Sequence, residues 1–209
     1  MYSQTNRNCF SGRQIARASR STGRAIRLIA MLVAAIAFPA QLAWSQSSGA
    51  TGYEVKTAFL FNFAKFIDWP TSSFASPQAP FTICVLGQDP FGNNLDDTMR
   101  GKMIGDRAVA VRRLRDKAEG RRCQIVFVSS SESTHLVEIV GSLQGAPVLL
   151  VGETNGFATL GGTIEFTLQD KRVRLAINTD AVDRSGLKFS SKLLALAKIV
   201  HDDGHSKGG

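Results

Sequence analysis

The chain has 209 residues, with 25 Lys and Arg against 17 Asp and Glu, which gives a formal net charge of +8. This basic excess is concentrated at one end, because residues 1–45 contain six arginines and no acidic residue. The remainder is close to neutral, at about +2, and its basic residues do not alternate with aromatic residues on one face. The charge pattern therefore argues against a nucleic-acid-binding protein, and we expect no nucleic acid among its partners.

Residues 1–45 have the layout of an export signal. An arginine-rich start is followed by an apolar run over residues 28–40, which is too short to span a bilayer comfortably. The small residues Ala43 and Ser45 then flank Trp44, the spacing that a signal peptidase recognises. An uncleaved anchor or a buried helix is the alternative, but Pro39 and Gln41 interrupt any longer apolar helix. We predict cleavage after Ser45, an exported mature protein and a short linker over residues 46–52.

Residues 53–70 are predicted to form an unusually aromatic helix. Four Phe and one Trp lie within these eighteen residues, whereas charged and polar side chains exclude a membrane span. Projection at about 100° per residue separates two faces. The apolar arc holds Val55, Phe59, Leu60, Phe63, Phe66 and Ile67. The opposite face holds Glu54, Thr57, Lys65 and Asp68. Trp69 and Pro70 are expected to end the helix.

Phe61 lies among the polar residues of this projection, which makes it a candidate for contact with a partner protein. Aromatic side chains are enriched at the energetic centres of interfaces. The alternative is that Phe61 packs under a neighbouring loop. The candidate partner-binding residues are Phe61, Phe59, Phe63 and Trp69.

Two cysteines remain outside the predicted leader, Cys84 and Cys123, in a compartment that favours oxidation. Short apolar runs predict buried strands over residues 81–86 and 124–128, with a helix over 90–100 and a further strand over 108–114 between them. The cysteines therefore fall on or beside strands. A disulfide between them would close a loop of about forty residues, which is worth on the order of 3–4 kcal/mol. Two buried free thiols are the alternative.

The second half of the chain continues the alternation of strands and helices, which is typical of layered α/β domains. A helix is predicted over residues 132–143, a strand over 147–151, and a glycine-bearing loop over 152–162. A helix over 190–200 and a disordered tail over 201–209 complete the prediction. We expect one α/β domain over residues 53–200, with a mixed, largely parallel sheet flanked by helices and a C-terminal antiparallel hairpin.

That hairpin is predicted from two alternating segments, residues 163–168 and 171–177, joined by a turn around residues 169–170. Our predicted register places Phe166 opposite Val173 on the core face. On the other face it places Glu165 opposite Arg174, where opposite charges add roughly 0.2–1 kcal/mol.

Five segments, in order, are similar to the YfiR family of periplasmic proteins. They are residues 55–70, ICVLG at 83–87 followed by DPFG at 89–92, CQIVFVS at 123–129, GFATLGG at 156–162, and AIN at 176–178 with GLKFSSKLLALAKIV at 186–200. The match covers almost all of the chain after the leader.

This resemblance implies a periplasmic regulator rather than an enzyme. In the best-known arrangement, a YfiR-like protein represses an inner-membrane diguanylate cyclase by contacting its periplasmic sensor region, and an OmpA-like outer-membrane lipoprotein releases the repression. Cyclic di-GMP synthesis and biofilm formation then follow. The resemblance also carries the Cys84–Cys123 pair over as structural. The chain departs from the family in lacking a second cysteine pair and in having Asp180 where a small residue is frequent.

Other functions have weaker support in the sequence. A small-ligand-binding sensor is the alternative, with weak candidate residues at two glycine-bearing turns: Gly87, Asp89, Gly92, Gly156 and Gly161. Neither turn carries a phosphate-loop or dinucleotide signature. No nucleophile has a visible base partner, and His201 and His205 lie too near Gly204 and the end to predict a metal site. We expect no catalytic residues, metal or cofactor, and we consider a homodimer plausible.

Overall fold

The computed structural model describes residues 48–203. The predicted leader and residues 204–209 of the predicted tail therefore lie outside the described residues. The described residues form five α-helices and ten β-strands. The strands are β1 (Ile67–Asp68), β2 (Phe81–Leu86), β3 (Met103–Ile104), β4 (Arg107–Leu114), β5 (Ile125–Val128), β6 (Leu149–Gly152), β7 (Ile164–Gln169), β8 (Arg172–Asn178), β9 (Lys188–Phe189) and β10 (Ala197–Val200). The α-helices are α1 (Ser48–Phe66), α2 (Asn93–Met99), α3 (Leu136–Leu143), α4 (Thr179–Ser185) and α5 (Ser191–Leu194).

Eight of these strands form one sheet in the order β10-β8-β7-β6-β5-β2-β4-β3. Its pairs are parallel except for the β7–β8 and β3–β4 hairpins. A separate antiparallel pair joins β1 to β9. This architecture confirms the predicted α/β class, with a mixed, largely parallel sheet and a C-terminal antiparallel hairpin.

The central strands are buried on both faces, as expected for parallel strands covered by helices. Every residue of β2, β5 and β6 is buried. One face packs against Leu60 and Phe63 of α1 together with Leu95 of α2. The other face packs against Ile139 and Leu143 of α3. The two covering layers explain why these strands read as continuous apolar runs in the sequence.

A disulfide joins Cys84 of β2 to Cys123, which lies two residues before β5. Both residues have 1% or less of their surface exposed. The bond spans a sequence separation of 39 and lies within the apolar cluster beneath α3. The structure therefore contains the predicted disulfide rather than two free thiols.

The hairpin register differs from the predicted one by two residues. Phe166 lies opposite Leu175, and Arg174 lies opposite Thr167. The reason is the turn, which uses Asp170 and Lys171, both with positive φ (49° and 60°). Positive φ at both central residues is typical of a tight two-residue hairpin. A shift of two keeps each side chain on its predicted face, but the predicted Glu165–Arg174 cross-strand pair is wrong.

The predicted helix over residues 190–200 is also wrong in its second half. Helix α5 ends at Leu194, and the chain then forms β10, which pairs in parallel with β8. The apolar residues fit a helical face, which is why the pattern favoured a helix. Pairing with β8 decides the outcome, because it satisfies backbone groups that β8 would otherwise expose at the sheet edge.

Helix α1 begins at Ser48, inside the predicted linker, and ends at Phe66 rather than at Pro70. Its buried face is also rotated from the predicted arc. Val55 and Phe66 are 44% and 41% exposed, whereas Thr57 is buried at 1%. The helix rests on the sheet through one narrow line of residues, so side chains at the margins of the broad predicted arc extend into solvent.

Candidate partner-binding surface

The four predicted partner-binding residues have different environments. Phe63 is fully buried and stacks on Phe59 and Phe166, with ring centroids 5.9 Å away in each case. Phe59 is half-buried and also contacts Phe166 at 6.0 Å. Phe63 thus has no surface to offer a partner, and we leave it out of the surface described below. Phe59 packs against Phe63 and Phe166, and we leave it out of that surface as well.

Phe61 is half-buried and lies between two lysines. The ammonium of Lys65, one helical turn later, is 5.5 Å from the ring centroid, and that of Lys102 is 5.3 Å away. Both contacts fall within the range of cation–π attraction. Neither lysine forms an ion pair within residues 48–203. One aromatic ring therefore presents two uncompensated positive charges to solvent.

Trp69 closes the end of α1 against the core. Its indole N–H donates a hydrogen bond to the Ala64 carbonyl at 3.1 Å, and its ring meets Phe81 edge-on at 5.0 Å. The remaining edge of Trp69 lines a shallow groove of about 510 Å³. Lys65 and the half-exposed Met103 line the same groove.

We call Phe61, Lys65, Trp69, Lys102 and Met103 the aromatic-basic surface. Sequence reasoning identified Phe61 and Trp69, but it missed Lys102 and Met103. Lys102 directly precedes β3 and Met103 is its first residue, so both reach α1 only through folding. The groove's far wall is rigid, because the Arg107 guanidinium lies 3.8 Å from the Phe74 ring centroid and donates a hydrogen bond to the Ala79 carbonyl at 2.6 Å.

A buried ion pair fixes the first half of α1 to the sheet. The Lys56 ammonium lies 2.6 Å from a carboxylate oxygen of Glu153, and their side chains are 16% and 7% exposed. Tyr53 donates its hydroxyl to the same carboxylate at 3.4 Å. Burial, followed by the negative charge of Glu153, raises the pKa of Tyr53 above its ordinary value. Helix α1 is therefore held at both ends, by this pair and by Trp69.

Among the weak ligand-binding candidates, Gly87, Asp89 and Gly92 follow β2. Asp89 accepts hydrogen bonds from the Phe91 amide at 2.8 Å and from Arg113 at 2.9 Å. A Cβ on Gly87 would lie 2.5 Å from the Ser131 hydroxyl oxygen. The turn is thus filled by its own neighbours.

Gly156 and Gly161 lie in the loop between β6 and β7, away from that turn, and line two different grooves. The carboxylate of Glu165 accepts hydrogen bonds from the Gly156 and Ala158 amides at 3.3 and 3.1 Å. The five ligand-binding candidates therefore form no common site, and small-ligand binding stays a prediction.

Within residues 48–203, no group of three His, Cys, Asp or Glu side chains is arranged to hold a metal ion. None of the helices in that range combines the length and the hydrophobicity needed to cross a bilayer. His205 of the sequence-level metal hypothesis lies outside the described residues.

Comparison with known families identifies the domain. Residues 53–198 match the profile of the family described as YfiR/HmsC-like. The chain belongs to this family. The match confirms the resemblance inferred from the five segments. YfiR/HmsC-like proteins are periplasmic regulators without catalytic activity that act in cyclic di-GMP signalling, in general through the periplasmic region of a diguanylate cyclase.

The solved structures that resemble this chain distantly include the following two proteins. A conserved domain protein from Vibrio cholerae shares 8% identity with a TM-score of 0.48 over 70% of this chain and 59% of that one. An ABC domain in complex with L-Trp from Streptococcus pneumonia shares 10% identity with a TM-score of 0.43 over 57% of this chain and 55% of that one. The YfiR/HmsC-like chain thus spans little more than half of either protein.

Proposed function

We propose that this YfiR/HmsC-like chain is exported to the periplasm and represses an inner-membrane diguanylate cyclase by binding its periplasmic region. We further propose that the aromatic-basic surface makes this contact. The observation that carries the proposal is the half-buried Phe61 ring with Lys65 and Lys102 beside it, neither of them ion-paired in the described residues.

The surface has the composition of an interface centre. Phe61 rests against the main apolar cluster, so little side-chain freedom remains to be lost on binding. Met103 is 51% exposed and adds an adaptable apolar contact. The two lysines supply attraction for acidic residues, which would guide encounter with the partner.

The test begins with the variant Phe61→Ala and the purified periplasmic region of the cyclase. We expect the dissociation constant to rise by about tenfold to a hundredfold, because truncating a central aromatic residue commonly has an effect of this size. In cells, the same variant should raise cyclic di-GMP towards the level of a deletion strain.

Val137→Ala provides the matched control. Val137 is 73% exposed on α3, which covers the other face of the sheet, so its truncation should leave binding unchanged. Full binding by Phe61→Ala would show that the contact lies elsewhere. Unchanged cyclic di-GMP after deletion of the gene would contradict repression itself.

We extend the proposal to release of the repression by an OmpA-like outer-membrane lipoprotein that competes for the same surface. Adding the purified lipoprotein should then displace the cyclase region, and simultaneous binding of both would contradict competition. A homodimer stays a prediction, which light scattering of the purified protein would measure.

A further inference from the structure

Within residues 48–203, no helix covers one part of the large sheet on the face opposite α1. Helix α3 covers β2, β5 and β6 on that face, whereas a groove of about 420 Å³ lies over β7, β8 and β10. Its lining comes only from strands and loops, and it includes Arg174, Leu196 and Lys198. This portion of the sheet therefore meets solvent directly.

Basic side chains are concentrated on this uncovered portion. Arg172 and Arg174 alternate along β8 with Val173 and Leu175, which pack towards α1. Lys198 on the neighbouring strand pairs in register with Ala176, so it shares the face with Arg174. All three basic residues are exposed, and none forms an ion pair in the described part of the chain.

Acidic groups do little to neutralise this face. Glu165 points to the same side, but it is 5% exposed and its carboxylate accepts two backbone N–H groups. Asp170 lies in the hairpin turn, directly before the basic Lys171. The exposed balance is therefore positive.

One leucine accompanies the charges. Leu196 on the groove wall is 68% exposed. We call Arg172, Arg174, Leu196 and Lys198 the basic sheet face. Isolated aliphatic side chains among cations are typical of surfaces that rest on a lipid headgroup layer.

We propose that the basic sheet face docks onto the anionic phospholipid surface of a membrane. The basic sheet face contains no aromatic residue among the described residues and only one exposed leucine, whereas the fully buried centre of a protein interface is apolar and enriched in aromatic side chains. A lipid surface needs no such centre, since each basic residue near it strengthens binding about fivefold and aliphatic tips insert between headgroups. The groove between Arg174 and Lys198 has room for a headgroup phosphate.

Docking of this kind goes beyond the proposed contact with the cyclase and uses different residues. It would concentrate the chain at the membrane in which that partner lies. The attraction should weaken with salt, because exposed charges are screened beyond about 10 Å at ordinary ionic strength.

The test measures sedimentation of the purified protein with phosphatidylcholine vesicles, with and without phosphatidylglycerol. We expect binding that requires phosphatidylglycerol and weakens at high salt. The variant Arg174→Glu/Lys198→Glu should bind at least about 25-fold more weakly, from two residues at about fivefold each. Leu196→Ser should weaken binding further without changing its salt dependence.

Arg115→Glu/Arg122→Glu is the matched control, because it makes the same change in net charge at two exposed positions outside the face. Equal loss in both double variants, or no binding by the unmodified protein, would overturn the proposal. The proposal would also be overturned if Arg174→Glu/Lys198→Glu kept vesicle binding but lost capture of the cyclase region. The basic sheet face would then bind an acidic protein rather than a membrane. Phe61→Ala tests the regulatory contact separately, since vesicle binding should survive it.

Discussion

The ring of Phe157 explains Gly152 at the end of β6 and Gly162 in the loop between β6 and β7. Phe157 is fully buried beneath α3. A Cβ on Gly152 would lie 2.5 Å from its Cγ, and a Cβ on Gly162 would lie 2.2 Å from its Cε1. Both distances are far below a normal carbon–carbon contact. These two glycines are therefore required for packing around Phe157.

We predict that Gly162→Ala destabilises the protein by roughly 1–3 kcal/mol, the usual cost of overpacking a core. The buried ring has no free space into which it could turn. Denaturant unfolding would measure the change. Gly141→Ala is the control, because this helical glycine has nothing within 4 Å of an added Cβ and is exposed. It should leave stability unchanged or raise it by up to about 1 kcal/mol, and equal effects of the two substitutions would contradict the packing explanation.

At the scale of elements, β10 depends on contacts outside its own strand. It has only four residues, all partly or fully exposed, and it pairs with β8 alone. Immediately after it, Asp202 accepts hydrogen bonds from Asn178 at 2.7 Å and from Arg184 at 3.1 Å. Asp180 accepts one from the Asp202 amide at 3.1 Å.

These contacts, which we call the Asp202 clamp, bear on two expectations from the sequence. Residues 201–203 belong to the predicted disordered tail, yet each of them is hydrogen-bonded to the domain. Asp180, the departure from the family pattern, has a role here, since its carboxylate also lies 3.0 Å from the His201 imidazole. The clamp joins the sheet edge to α4.

The clamp makes stability depend on pH. Hydrogen bonding with Arg184, followed by that with Asn178, holds the pKa of Asp202 below its ordinary value. A depressed carboxyl pKa stabilises the fold above the pKa of the unfolded chain, and this contribution is lost as pH falls through the folded value. We expect Asp202→Asn to lower stability by about 1 kcal/mol at neutral pH, since the pair is partly exposed.

Thermal unfolding as a function of pH would measure this effect. The curves of the unmodified protein and Asp202→Asn should converge as pH falls from about 5 towards 2. Asp203→Asn is the control, because the Asp203 carboxylate forms no ion pair in the described residues and only its amide bonds to Thr159. A constant difference at every pH would contradict the role of the Asp202 charge.

At the scale of the whole molecule, the disulfide connects β2, the first strand of the large sheet in chain order, to the segment that precedes β5. Between its two cysteines lie α2, the β3–β4 hairpin and the turn that carries Lys102. Closing this loop restricts the unfolded chain, which stabilises the folded state without any new surface contact. Lys102 lies in this loop and contacts Phe61 of α1. The disulfide therefore also stabilises the aromatic-basic surface.

We predict that Cys84→Ala/Cys123→Ala lowers the free energy of unfolding by roughly 3–4 kcal/mol, from the sequence separation of 39. Denaturant titration with and without reductant would test it. Reductant should destabilise the unmodified protein and leave the double variant unchanged. Equal stability of the two oxidised proteins would contradict a structural role for the bond.

The sequence by itself determined features that depend on local pattern. Continuous apolar runs predicted β2 and β5, alternation predicted both faces of the β7–β8 hairpin, and the ordered segments identified the YfiR/HmsC-like family. These features follow from side-chain periodicity, which each segment carries alone. The position of Phe61 among the polar residues of the helical projection likewise predicted that its ring would be partly exposed.

Tertiary structure decided whatever depends on partners distant in the chain. The hairpin register followed from the backbone of Asp170 and Lys171, and residues 197–200 became a strand because β8 offered an unpaired edge. Lys102 reached Phe61 from a separate hairpin. Such outcomes arise from competition among long-range hydrogen bonds and packing contacts, whose free energies exceed the small local preferences that a sequence pattern reports.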